Sequence, residues 1–403
     1  MVMAAQNDWD DQEGDEVNSE DRVRSEDVIR AVVTDTDWTA ETILSQLRRG
    51  NIQLNPRFQR RDAWDRARKS RFIESLILGL PIPQIVLAED KSSRGKFIVL
   101  DGKQRLLALS QFASNSSLGT QGEKADFTQL ILTGLDVRED LRKLTLAKLE
   151  ADPAYLDDLN AFLNQTIRTV VVRSWPSAEF LNLVFLRLNT GSVSLSPQEL
   201  RQALHPGSFT DFLDDRSADS DSLRRALRLT KPDFRMRDVE VLLRFYAFYF
   251  RLESYTGNLK RFLDDTVNDL NERWDEGADV IVEAGMQCDY AIDATFEVFG
   301  DDAFTRWSGE KYEGRFNRAV FDIMVYYFVD PDVRELIKHR APQVKRAFEE
   351  LCEADRHFVE AIQTTTKTPE ATHRRLKGWG DRLGGVLGVD LPVPEFIGNR
   401  IVR

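Results

Sequence analysis

Cysteine is nearly absent: Cys288 and Cys352 are the two in 403 residues, far apart and in no Cys-x-x-Cys pair. That argues against a disulfide framework or a zinc site and fits the reduced thiols of a cytoplasmic protein. Histidine is scarce as well, with His205, His339, His357 and His373 scattered along the chain. Long hydrophobic runs are missing. The densest, Val241 to Phe250, is broken by Arg244 and is too short to span a bilayer. The N-terminus lacks the basic start and apolar middle of a signal peptide. Positive charge is in deficit too, with a formal net charge of −12, so a general polyanion-coating protein is excluded.

What is present is unevenly placed. Residues 1–27 hold ten Asp/Glu and read as a disordered acidic tail. Asn55 to Arg105 reverses the balance, with twelve Lys/Arg against six Asp/Glu. A basic island in an acidic chain points to a localised anion site. Within it, Phe97 to Leu100 reads as a buried strand, and Leu106, Leu107, Leu109 and Phe112 recur at helical spacing. Asp101-Gly102 therefore sits where a strand turns into a helix. Gly102 permits an unusual backbone conformation and close approach of a ligand. The unpaired N–H groups of the helix start suit a phosphate, and Lys103 and Arg105 add formal charge.

The patterning predicts helices around Ile43–Leu47 and Phe72–Ile77, and a short strand from Ile52 to Leu54. Strands Ile85–Leu87 and Phe97–Leu100 form a hairpin across the polar loop Lys91–Lys96, and β-branched Thr166 to Val172 returns to the sheet. Ser177 to about Leu188 is helical, and Ser196-Pro197-Gln198-Glu199 carries the signature of a helix start. Beyond 205 the pattern is helical, with no further strand cluster. The expected architecture is α+β: an acidic tail (1–27), an α/β domain (28–205) and an all-helical domain (206–403).

The blocks Ile52-x-x-Asn55-Pro56-x-Phe58-Gln59-Arg60, Trp64, Gly79-x-Pro81-Ile82-Pro83 and Asp101-Gly102-x-Gln104-Arg105 occur in this order. Phe185-x-Arg187-Leu188-Asn189-x-Gly191 and Leu195-Ser196-x-x-Glu199-Leu200-Arg201 follow. Together they resemble the N-terminal domain family of GmrSD-type restriction endonucleases, whose fold is ParB/sulfiredoxin-like. The resemblance covers roughly the first half of the chain. It implies a domain that binds and hydrolyses a nucleoside triphosphate, with Mg²⁺ or another divalent cation, in DNA restriction or anti-phage defence. The family's usual glutamine at the third motif position is replaced by Lys103. The HNH-type nuclease half that accompanies such domains has no counterpart in the spacing of the four histidines.

Each candidate residue also has a plainer role. Asp101 is a metal ligand or water-orienting group, or a turn residue capping the next helix. Gln104 places a water or faces solvent. Arg105 offers a fork of donors to phosphate oxygens, or forms an internal salt bridge tying helix to sheet. Arg57, Gln59, Arg60 and Arg61 support the triphosphate or a DNA backbone, or line a charged edge strand. Gly102 and Lys103 belong to the phosphate corner. Arg187 and Asn189 lie near the nucleotide or end a helix. Trp64 and Phe58 stack on a base or anchor the core, Glu199 completes a capping box or acts as a catalytic acid, and His373-Arg374-Arg375-Leu376-Lys377 contacts phosphates or forms a solvated helix face. The competing functions are a nucleoside triphosphatase, a non-catalytic nucleotide- or DNA-binding module acting through a nuclease partner, and a DNA-nicking nuclease. The expected partners are a nucleotide, DNA and a separate defence protein, with self-association open and no membrane.

Overall fold

A computed structural model describes residues 32–52, 54, 61–119, 127–177, 180–181, 183–184, 187, 196–364 and 367–403. The acidic tail, Arg57, Phe58, Gln59, Arg60 and Asn189 lie outside them. The chain divides into two compact units. One ends at Leu204 and takes in Phe234–Met236; the other comprises His205–Asp233 and Arg237–Arg403.

The first unit is a four-stranded sheet of order β1-β4-β2-β3, formed by β1 (Val32–Thr39), β2 (Ile85–Glu89), β3 (Phe97–Asp101) and β4 (Thr166–Arg173). β2 runs parallel to β4, and the other pairings are antiparallel. Its helices include α1 (Ala40–Arg48), α2 (Arg66–Ile77), α3 (Lys103–Ala113), α4 (Leu146–Ala151), α5 (Leu156–Asn164) and α6 (Pro197–Leu204), and the described residues between 180 and 187 are helical as well. Alternation along the strands feeds two cores. Ile85, Leu87, Phe97, Val99, Ile167 and Val171 pack with α1, α2, α3 and α5 on one face. Val86, Ala88, Ile98, Leu100 and Val172 pack with Trp175, Phe180, Leu181 and Leu200 on the other. Burial on both faces explains why these strands read as nearly continuous apolar runs.

Two expectations change. Of the strand foreseen at Ile52–Leu54, the described residues show a parallel bridge from Ile52 to Phe97, and Gln53 lies outside them. The sheet also gains an unforeseen strand, β1, which pairs antiparallel with β4 at an edge and whose Asp35 and Asp37 make its sequence read as polar.

Glu74 of α2 ties the long connection before α4 to this unit. Its buried carboxylate accepts from the backbone N–H of Asp136 (3.1 Å), Val137 (2.9 Å) and Arg138 (2.6 Å). Burial pushes its pKa up, but the three N–H groups and Arg138 outweigh it and the net shift is downward. A carboxyl with a lowered folded pKa stabilises above its unfolded value near 4.5 and loses that stability as pH falls through the folded value. Glu74→Gln is therefore expected to cost about 1–3 kcal/mol at pH 7. In urea titrations from pH 7 to 4 the variant should lose less stability than the wild type.

The second unit is helical: α7 (Ser208–Asp219), α8 (Asp221–Ala226), α9 (Arg237–Arg251), α10 (Leu259–Glu272), α11 (Trp274–Phe299), α12 (Arg318–Phe328), α13 (Pro331–Lys338), α14 (Ala341–Ala354), α15 (Arg356–Gln363) and α16 (Pro369–Leu387). A terminal hairpin, β5 (Glu395–Ile397) and β6 (Arg400–Val402), departs from the expected absence of strands. Leu242, Leu243, Phe245, Tyr246 and Phe248 of α9 are buried as their spacing predicts, while Tyr249 and Phe250 are half-buried. Arg244, which interrupts that run, donates to Asp322 of α12 (Nη2–Oδ2 2.6 Å), and Arg375 of α16 reaches the same oxygen at 3.3 Å. All three are buried. Arg375 thus departs from the solvated face foreseen for its segment, because Asp322 supplies an internal counter-charge. Cys288 and Cys352 are buried and unbridged; burial pushes the Cys288 thiol well up and the Cys352 thiol up to about 12. No helix among the described residues is long and apolar enough to cross a membrane.

Candidate functional site

β3 is irregular just before the corner. Its register against β2 shifts between Val86 and Leu87, so Val86 faces Asp101 while Leu87 faces Val99. Such a bulge re-aims the end of a strand. Gly102 follows at φ +95° and begins α3 with no side-chain cap on the first turn. Its N–H donates to Asp101 Oδ1 at 2.7 Å. A Cβ there would lie 3.0 Å from Ile85 Cγ1 and 3.3 Å from Arg105 Nε, so conformation and space both require glycine. Gly102→Ala is expected to lower the melting temperature, with about 1–2 kcal/mol from the left-handed backbone alone, and to displace Arg105. A larger loss of ligand binding than of stability would report that displacement.

Arg105 turns back over this corner. Its Nη2 donates to Asp101 Oδ2 at 3.0 Å and to the Gln84 carbonyl at 2.9 Å. The internal salt bridge, weighed from sequence as the alternative role, is the contact observed. The residue is 6% exposed, and Nε is buried without a hydrogen-bond partner. Burial pulls the guanidinium below its ordinary pKa while Asp101 opposes the shift; an arginine stays charged regardless. The corner therefore holds a fixed cation with one idle donor beside Gly102. An idle buried donor is costly in a folded protein.

Gln104, one residue earlier, accepts from the backbone N–H of Trp64 at 3.3 Å. One face of α3 carries Gln104 and, two turns on, Gln111. Gln111 Oε1 accepts from Lys69 Nζ at 2.7 Å, and Lys69 also pairs with Asp62. Burial lowers the Lys69 ammonium to about 8. The turn after Arg61 is thus fastened along α3, with Arg61 itself buried. Asp62, Lys69, Gln84 and Gln111 escape sequence reasoning. Gln84 acts through its carbonyl, which no side-chain pattern announces; Lys69 and Gln111 read there as ordinary helix residues.

Lys103 Nζ lies 2.5 Å from Glu199 Oε1, and both residues are 6% exposed. The capping box is formed as the sequence indicates: Ser196 N donates to Glu199 Oε2 at 2.7 Å, and Glu199 N to Ser196 Oγ at 3.1 Å. Arg187 is helical and exposed. Trp64 meets Phe72 edge-on at 5.8 Å between centroids and carries Arg68 over its ring, an anchoring position, although its Nε1 is buried without a partner.

Among the described residues no three His, Cys, Asp or Glu converge as a metal cluster. His339 and His357 are exposed, and His373 stacks on Phe396. Asp101, with its side chain 22% exposed, is the carboxylate at the corner. A single carboxylate completed by phosphate oxygens and water fits Mg²⁺, which seldom demands an all-protein cage.

Residues 40–206 match the family model described as GmrSD restriction endonuclease, N-terminal domain. No curated protein and no solved structure matches the chain.

Proposed function

From residues 40–206, which belong to the GmrSD restriction endonuclease N-terminal domain family, we propose that the chain binds a nucleoside triphosphate at the start of α3 and hydrolyses it in the service of DNA restriction. The carrying observation is the uncapped first turn of α3 beside a buried arginine with an idle Nε. The first-turn N–H groups and this fixed positive charge are the groups that would bind a phosphate oxygen. The four-stranded sheet covered on both faces supports a ParB/sulfiredoxin-like reading of the domain.

Phosphoryl transfer asks the protein for position and charge more than for covalent chemistry. Gly102 gives the left-handed turn that starts α3 under Arg105, Arg105 would offset the triphosphate's charge, and Asp101 would hold Mg²⁺, which screens the phosphates when bound. Gln104, its carbonyl fixed by Trp64 N, orients the attacking water. Arg57, Gln59 and Arg60, which precede Arg61 in the sequence and lie outside the described residues, are assigned by this reading to support nucleotide or DNA. Arg187 and Asn189 belong to the same reading.

A second reading, a nucleotide-binding module acting through a nuclease partner, is favoured by one observation. Both oxygens of Asp101 are already engaged, by Gly102 N and Arg105. Phosphate release across a nucleotide panel, with and without modified DNA, separates the two. Release from at least one nucleotide supports hydrolysis, binding without release supports the module, and neither overturns both. The nicking reading ranks last and predicts relaxation of supercoiled plasmid with Mg²⁺ or Mn²⁺.

A further inference from the structure

We infer that Lys103 and Glu199 act as one positioning pair for the α3 corner, with Lys103 serving that site without touching phosphate. The inference rests on the reading that the corner takes a polyphosphate. Lys103 opens α3, whose apolar side chains fill the core on one face of the sheet. Glu199 sits in the first turn of α6, whose Leu200 fills the core on the other face. The end of β3 contributes to both cores, so the ion pair bridges the two helix layers at the point where β3 stops.

The carboxylate divides its work. Glu199 Oε2 closes the α6 capping box by accepting from Ser196 N, and Oε1 pins Lys103 Nζ. A buried ion pair adds little net stability against an apolar pair of similar volume, yet breaking it by removing one partner is costly. Its value lies in fixing a register, here that of α3's first turn against α6. A shift of that turn would carry Gly102 and Arg105 with it, because Leu106 N already holds Gly102 O at 3.0 Å. Glutamine at 103 alone would leave a buried carboxylate facing a neutral amide.

The test compares wild type, Lys103→Gln, Glu199→Gln and the double variant, using inorganic tripolyphosphate with Mg²⁺ as calorimetric probe. Glutamine at 199 keeps a capping-box acceptor, so α6 retains its start. Each single variant is expected to weaken binding about tenfold, and the double variant to match the singles rather than multiply them. The salt dependence of binding should be the same in wild type and Lys103→Gln, since no phosphate contact is lost. If Lys103→Gln loses affinity and salt dependence while Glu199→Gln binds as well as wild type, Lys103 is a phosphate ligand and the inference fails. Should the wild type bind no tripolyphosphate and no nucleotide, the functional reading falls first. The melting temperatures of the same four proteins then decide: non-additive losses support the pair, and additive losses overturn it.

Discussion

Arg105→Ala is expected to reduce nucleotide phosphate release by about a hundredfold or more, the scale of losing a preorganised charge contact. Two losses coincide. The corner gives up its buried cation, and Asp101 gives up the partner that orients Oδ2. Arg105→Lys separates them, because it keeps the charge but cannot span Asp101 and the Gln84 carbonyl with one planar group. Lysine should therefore recover part of the binding and little of the turnover. Asp101 is partly exposed, so water can solvate it in the alanine variant and the fold should survive. Initial-rate phosphate release beside a thermal melt checks this. A folded Arg105→Ala protein with wild-type turnover would falsify the assignment of this corner.

The second large effect lies in the helical unit. Asp322→Ala should destabilise it by about 3–5 kcal/mol, because two buried guanidinium groups lose their shared carboxylate. For a unit of this size that corresponds to a fall of roughly 10 °C in its melting transition. Adding Arg375→Met to Asp322→Ala removes one of the two cations that share this carboxylate and should recover part of the loss, a coupling expected of residues in one network. Calorimetry on the full chain reads both, since the two units can melt as separate transitions. A change below about 1 kcal/mol would mean that the arginines find other acceptors.

Much of this was legible from residue order. The strands Ile85–Glu89 and Phe97–Asp101 announce themselves by apolar runs, and Ser196 with Glu199 announces α6. Asp101 and Arg105 stand four residues apart, a spacing at which opposite charges meet along a helix start. The destination of Lys103 was not legible, because its partner lies 96 residues downstream and is set by tertiary packing. β1 was missed for a different reason: an edge strand pairs on one side and tolerates Asp and Thr where a central strand does not. The terminal hairpin did carry a signal, Gly398-Asn399. Both take positive φ, +57° and +63°, as a two-residue hairpin turn demands.

The two shielded thiols make the chain a convenient substrate for site-directed dyes. Cys288 and Cys352 remain protonated and screened from reagent at neutral pH. A cysteine introduced on the exposed Lys91–Lys96 loop, for instance by Arg94→Cys, would then be alkylated far faster than either native sulfur. Fluorophores placed this way report ligand-induced movement of the α/β unit without first stripping the natural cysteines.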